Sequence, residues 1–271
     1  MGEVTVVACG KGGIGKTMLS FGLSAMLADM NHSVVLVDLC CGLRQSDMLL
    51  GVESQIVYDW NDVAGAVCTL NQALVHTGKK GLSLLSAPPY LLKCEGSVDI
   101  GPLLSSLSEQ YEHVIVDTPS GVFHGYDFFP PIEAKWLLVT SPDDAAMRDA
   151  DRTRMLLEER GHRPSFLVIN RVVPKWVHEN IQYQPTVVEQ TLDLRLLGVI
   201  PEDERFAECL LQRRWLHAPS MRRYSPAAEA IAHIACRLLG EERLPSQWQV
   251  QVPSWGKKSM LYRQIIKEVW L

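Results

Sequence analysis

The sequence predicts an α/β fold, a mainly parallel sheet flanked by helices on both faces and followed by a C-terminal amphipathic helix, on three observations. Short apolar runs alternate with helical patterns, most of those runs are apolar on both alternating faces, and a glycine-rich turn joins the first run to the first helix. Alternation of this kind reads as parallel strands joined by crossover helices. Strands apolar on both faces are central strands covered from both sides. A chain of 271 residues can bury a core without disulfides, and 47% hydrophobic with 21% charged residues is a globular balance.

The elements follow in order. Val4–Ala8 is the first predicted strand and 16–30 the first helix; Ser33–Val37 and Leu82–Leu85 are strands, then 101–110 is a helix. His113–Val116 and Trp136–Thr140 are strands, 144–160 a helix, Phe166–Ile169 a strand, 186–193 a helix, Leu196–Ile200 a strand and 226–239 a helix. After Gly240 the composition turns to Pro, Gln and Ser, so residues 1–240 read as one domain, 241–256 as a linker and 257–271 as a final helix.

The whole-molecule numbers exclude several classes. A net charge of −5 repels polyanions, so no specific nucleic-acid partner is expected. Seven cysteines without a CxxC pair argue against a secreted disulfide framework and a structural zinc module. The adjacent Cys40 and Cys41 read as small apolar packing residues, since no His stands near them to complete a metal site. No apolar run reaches the roughly 18 residues that span a bilayer, and Met1–Gly10 does not read as a cleavable leader, so a cytoplasmic protein is expected.

Residues 10–17, Gly10-Lys11-Gly12-Gly13-Ile14-Gly15-Lys16-Thr17, follow the first strand and open the first helix, matching GxxxxGK[ST] in the setting that motif requires. Glycines let backbone N–H groups turn toward a phosphate, and the helix N-terminus adds partial positive charge. Lys16 is predicted to bind the β/γ-phosphate oxygens and Thr17, followed by Met18, to offer its hydroxyl to Mg²⁺. Asp38 and Asp117 stand at the carboxyl ends of predicted parallel strands, the edge along which open α/β sheets bind ligands.

With Lys11 directly after the first glycine, the loop resembles the deviant Walker A signature of the MinD/ParA ATPases, which are SIMIBI-type P-loop proteins. Further segments resemble the septum-site-determining MinD branch: Gly42-Leu43-Arg44-Gln45-Ser46-Asp47, Ile56-Val57-Tyr58-Asp59, Thr69-Leu70-Asn71-Gln72-Ala73-Leu74, Asp117-Thr118-Pro119-Ser120-Gly121, Arg148-Asp149-Ala150-Asp151-Arg152 and Gly198-Val199-Ile200-Pro201-Glu202-Asp203. The resemblance covers residues 3–243. It implies ATP and Mg²⁺ as cofactors, with Thr17, Asp38 and Asp117 around the metal, and an ATP-dependent homodimer in which Lys11 reaches the partner's phosphates. It also implies adenine contacts from Asn170, Arg171, Pro201, Glu202 and Asp203, a MinC-like division inhibitor, a MinE-like or other topological partner, and a place on the cytoplasmic face of the membrane. The helix carrying Arg148, Asp149, Asp151 and Arg152 resembles the family's partner-binding region. A ParA-like partitioning role would instead need a basic DNA-binding surface, for which Arg213-Arg214 and Arg222-Arg223 are the candidates.

One position departs from the pattern. The family carries Asp-x-Asp after the second strand, the second acid orienting the attacking water, whereas here Asp38-Leu39-Cys40 places a thiol there. A neutral thiol hydrogen-bonds weakly, and loss of a water-orienting group costs on the order of 10²–10⁴ in rate. Slow hydrolysis with binding retained is therefore expected, and a nucleotide-gated scaffold that hardly turns over is the alternative.

Residues 257–271 carry Leu261, Tyr262, Ile265, Ile266, Val269 and Trp270 on one half of a helix, with Arg263, Gln264, Lys267 and Glu268 on the other. Four basic residues against one acid beside that apolar face predict an interfacial helix drawn to anionic lipid.

Overall fold

The computed structural model describes residues 1–90, 99–121, 129, 132–212 and 225–241. Its sheet has eight strands: β1 Glu3–Ala8, β2 Val34–Asp38, β3 Leu74–His76, β4 Leu82–Leu85, β5 His113–Asp117, β6 Lys135–Thr140, β7 Pro164–Val172 and β8 Leu196–Pro201. They lie in the order β3-β4-β2-β5-β1-β6-β7-β8, and every pairing is parallel except β3 with β4. All seven predicted strands are present. The eighth, β3, is three residues long, too short for an alternating pattern to register in the sequence.

Among the described residues the α-helices are α1 Lys16–Asp29, α2 Gln45–Leu50, α3 Trp60–Ala64, α4 Leu70–Ala73, α5 Gly101–Gln110, α6 Asp144–Glu159, α7 Pro174–His178, α8 Pro185–Leu192, α9 Glu204–Leu211 and α10 Pro226–Leu238. The five predicted helices correspond to α1, α5, α6, α8 and α10. Among the short ones missed, α3 and α4 are set by their ends: Asp59 and Thr69 each form a capping box with the residue three positions on.

Alternate residues of each central strand point to opposite faces, which produces two cores. Val7, Leu36, Ile115, Leu137 and Val168 pack with Leu19, Leu23 and Met26 of α1 and Ile231 and Ile234 of α10. Val6, Val35, Val114, Leu138 and Leu167 pack with Leu103 and Leu107 of α5, Ala150 and Leu157 of α6, and Val188 of α8. The approach of α10 to β8 depends on Gly198, where a Cβ would lie 2.4 Å from Ile234 Cγ1.

No described helix is long and apolar enough to cross a membrane. The predicted linker beyond residue 241, the helix over 257–271 and the arginine pairs 213–214 and 222–223 lie outside the described residues.

Candidate functional site

The glycine loop runs from the carboxyl end of β1 to the start of α1, and the rest of the fold clamps it. Gly15 begins the helix at φ 93°, and a Cβ there would stand 2.3 Å from Asn170 Nδ2, so both backbone sign and space demand glycine. Asn170, on β7, donates through Nδ2 to Ile14 O at 2.7 Å. On the other side the loop backs onto α6: a Cβ at Gly10 would meet Asp149 O at 2.6 Å. The first turn of α1 has neither a side-chain cap nor an acidic residue, which leaves its N–H groups available to an anion.

Beneath the loop, residues from three places in the chain converge. Neighbouring strands β2 and β5 bring Asp38 and Asp117 into register, and α1 contributes Lys16, Thr17 and Ser20. Asp117 accepts from Thr17 Oγ1 at 2.6 Å, Ser20 Oγ at 3.0 Å and Lys16 Nζ at 3.2 Å, while Asp38 accepts from the backbone N–H of Cys40 at 2.8 Å and of Ser46 at 3.3 Å. Cys40 is not an apolar packing residue. Its thiol donates to Thr118 O at 3.1 Å, with Asp117 Oδ2 at 3.5 Å and Lys16 Nζ at 3.9 Å. The neighbouring Cys41 is disulfide-bonded.

The charges here are buried and interdependent. Burial, followed by the charge of Asp117, pushes the Asp38 carboxyl up to about 6. Burial also drives the Cys40 thiol well above its ordinary range; Asp117 and Asp38 add to this while Lys16 opposes it, so the thiol is protonated at neutral pH. For Lys16, burial favours the neutral amine, but the charge of Asp117 and its hydrogen bond outweigh this and hold the ammonium above the usual lysine range. The hydroxyl of Thr17 with the carboxylates of Asp38 and Asp117 forms an oxygen set suited to a hard cation such as Mg²⁺.

Other predicted residues fall around this centre. Ile14 is buried beneath the loop, Met18 packs half-buried against the core, and the Gly12 and Gly13 backbone lies on the open side. Lys11 reaches across to Asp143, the N-cap of α6, at 3.4 Å, with both side chains near half exposed. Arg171, in the left-handed region at φ 60°, pairs with Glu202 at 3.0 Å and donates to Gly13 O at 3.5 Å. Pro201 closes β8, and the Asp203 carboxylate caps α9 while accepting from Ser225 Oγ and Ala227 N at the start of α10. That leaves Asp203 holding two helix ends, so an adenine contact from it would come through its backbone. The sequence reading missed Ser20, legible as the residue one helical turn after Lys16, and Thr118, whose hydroxyl ties β5 to Val7 O at 2.8 Å.

Two clefts stand at the opposite, amino-terminal edge of the sheet, one lined by Lys135, Arg195 and Arg237, the other by Ser33, Ser108 and Glu112. Neither gathers the phosphate-loop residues, which converge at the carboxyl edge, where open α/β sheets bind ligands.

Residues 5–214 match the CobQ/CobB/MinD/ParA nucleotide binding domain. The septum site-determining protein MinD of Bacillus subtilis (strain 168) is 34% identical over 245 residues, covering 89% of this chain and 90% of that protein. MinD of Synechocystis sp. is 33% identical over 254 residues, covering 89% and 91%. Among solved structures, the MinC:MinD cell division protein complex of Aquifex aeolicus superposes with a TM-score of 0.76 at 30% identity, covering 90% of this chain and 98% of that one. With its phosphate loop, its buried acids and these likenesses along most of its length, the chain belongs to the CobQ/CobB/MinD/ParA nucleotide-binding family, in the septum-site-determining MinD group of P-loop ATPases.

Proposed function

We propose that this protein is a MinD-like switch: it binds ATP with Mg²⁺, dimerises, attaches to the cytoplasmic face of the membrane through residues 257–271, and recruits a MinC-like division inhibitor to place the division site. The observation that carries the reading is the convergence of Lys16, Thr17 and Asp117 beneath a glycine loop whose Lys11 is held by an exposed pair with Asp143. Glycine-loop N–H groups and Lys16 hold the phosphates, Thr17 and Asp117 with Asp38 hold the metal, which neutralises phosphate charge when bound, and Asn170, Arg171 and the segment 201–203 flank the base. The complex of MinC with MinD in Aquifex aeolicus supports the inhibitor as partner. A MinE-like or other topological partner would trigger release.

Lys11 spends its charge on Asp143 in the single chain, an exposed pair worth at most about 1 kcal/mol and easily given up. Its transfer to a partner's nucleotide would link ATP binding to dimerisation. Dimerisation would in turn double the lipid-binding helices, turning a marginal affinity into stable attachment. Cys40 favours slow intrinsic hydrolysis within this scheme, and in the limit a scaffold that hardly turns over. Sedimentation of the full-length chain with anionic vesicles tests the switch: pelleting with ATP and not with ADP is expected. Equal pelleting in both states would remove the nucleotide gating and leave a constitutive membrane contact, and none in either would return the protein to a soluble positioning role.

A further inference from the structure

Topology brings together three ligand atoms that the sequence scatters over 80 residues. One oxygen each from Asp38 and Asp117 and the Cys40 sulfur all lie within 4.8 Å of one another, and all three residues are buried. A search for CxxC or nearby His overlooks this set because two of its members are carboxylates, one of them from a different strand. The Cys40 Sγ to Asp117 Oδ2 separation is 3.5 Å. Zinc bound to sulfur at about 2.3 Å and to oxygen at about 2.1 Å in a tetrahedron puts those two ligands about 3.6 Å apart, so the pair already has the spacing of one tetrahedral edge. A cation also stands there already: the buried Lys16 ammonium touches the same two residues, 3.2 Å from Asp117 and 3.9 Å from Cys40.

We propose that Asp38, Cys40 and Asp117 form a site for a thiophilic divalent cation such as Zn²⁺, which takes the place of Mg²⁺ on the two carboxylates and enters as Lys16 turns from these ligands to a bound phosphate. The coupling rests on the phosphate role given to Lys16 above. Two carboxylates and one thiolate fill three tetrahedral positions, and the fourth falls to water or a phosphate oxygen. The incoming cation displaces the thiol proton to solvent, as metal ions do to coordinating thiols. Magnesium, which prefers an octahedron of oxygens, gains nothing from the sulfur, so the substitution at position 40 shifts the preference of the site toward softer ions.

Cobalt(II) is the probe, because thiolate ligation gives it a near-ultraviolet charge-transfer band. The full-length chain is titrated with Co²⁺, with and without ADP, and magnesium-dependent ADP binding is measured separately by equilibrium dialysis. The expected result is a thiolate band that strengthens with ADP, is bleached by Zn²⁺ and withstands excess Mg²⁺. It is lost in Cys40→Ser and in Cys40→Asp, each checked for folding by circular dichroism, and kept in Cys9→Ser. No band in either arm, or a band that survives both Cys40 variants, overturns the proposal. If ADP binds normally in that case, the nucleotide reading stands without it. A band lost with Cys40 while ADP fails to bind upholds the metal site and removes only its coupling to phosphate.

Discussion

Cys40 lies within the hydrogen-bonded core of the site, its sulfur 3.5 Å from Asp117 Oδ2 and 3.9 Å from Lys16 Nζ. Under the proposed switch, Cys40→Asp puts a carboxylate where the family resemblance implies a water-orienting acid, and phosphate release from ATP is expected to rise several-fold; a rate that stays level or falls would refute a hydrolytic role for this position. Asp38 offers a second test. Because its folded pKa is raised from 3.8 to about 6, the folded chain keeps a proton there that the unfolded chain has released, and its stability falls as pH rises through that window. The penalty above pH 6 is about 3 kcal/mol at most. Asp38→Asn is expected to flatten this slope in the nucleotide-free protein, read as urea midpoints at pH 4.5 and 7.5, and an unchanged slope would show that another group titrates. At this scale the sequence displayed Lys16, Thr17, Asp38 and Asp117 plainly, since motif and strand end marked each. It did not display that Asp203 serves two helix caps or that Cys40 bonds to Thr118, because both depend on partners distant in the chain.

Among the elements, α6 joins loop, lysine and surface. Its N-cap, Asp143, accepts from Ala146 N and Ser141 Oγ and also receives Lys11; burial alone would raise its carboxyl, but these bonds together hold it below the usual range. Asp143→Ala should cost about 1 kcal/mol of stability through the lost cap while leaving Lys11 unengaged. Tighter ATP-dependent self-association is then expected by analytical ultracentrifugation, and weaker association would mean that the pair orders the loop for the partner. The long helices and all central strands were legible because their periodicity spans enough residues to be distinctive. The one-turn helices α3 and α4, together with β3, were not, since local caps and a single neighbouring strand decide them.

For the whole molecule, the lipid-binding role proposed for residues 257–271 makes its own prediction. Deleting residues 256–271 is expected to abolish vesicle pelleting while leaving nucleotide affinity unchanged; retained pelleting would move the lipid contact onto the domain. The fold class was readable in advance because seven parallel strands need apolar residues on both faces, and few other architectures do. The strand order also bears on how the protein is made. β1, which is made before the other strands of this sheet, finds its two neighbours only in β5 and β6, so the segment Val4–Ala8 waits without its native neighbours until the chain has been extended past residue 140. A nascent apolar strand left so long without its neighbours is a target for premature self-association, and folding yield should therefore depend on translation speed and chaperone supply more than on the stability of the finished sheet.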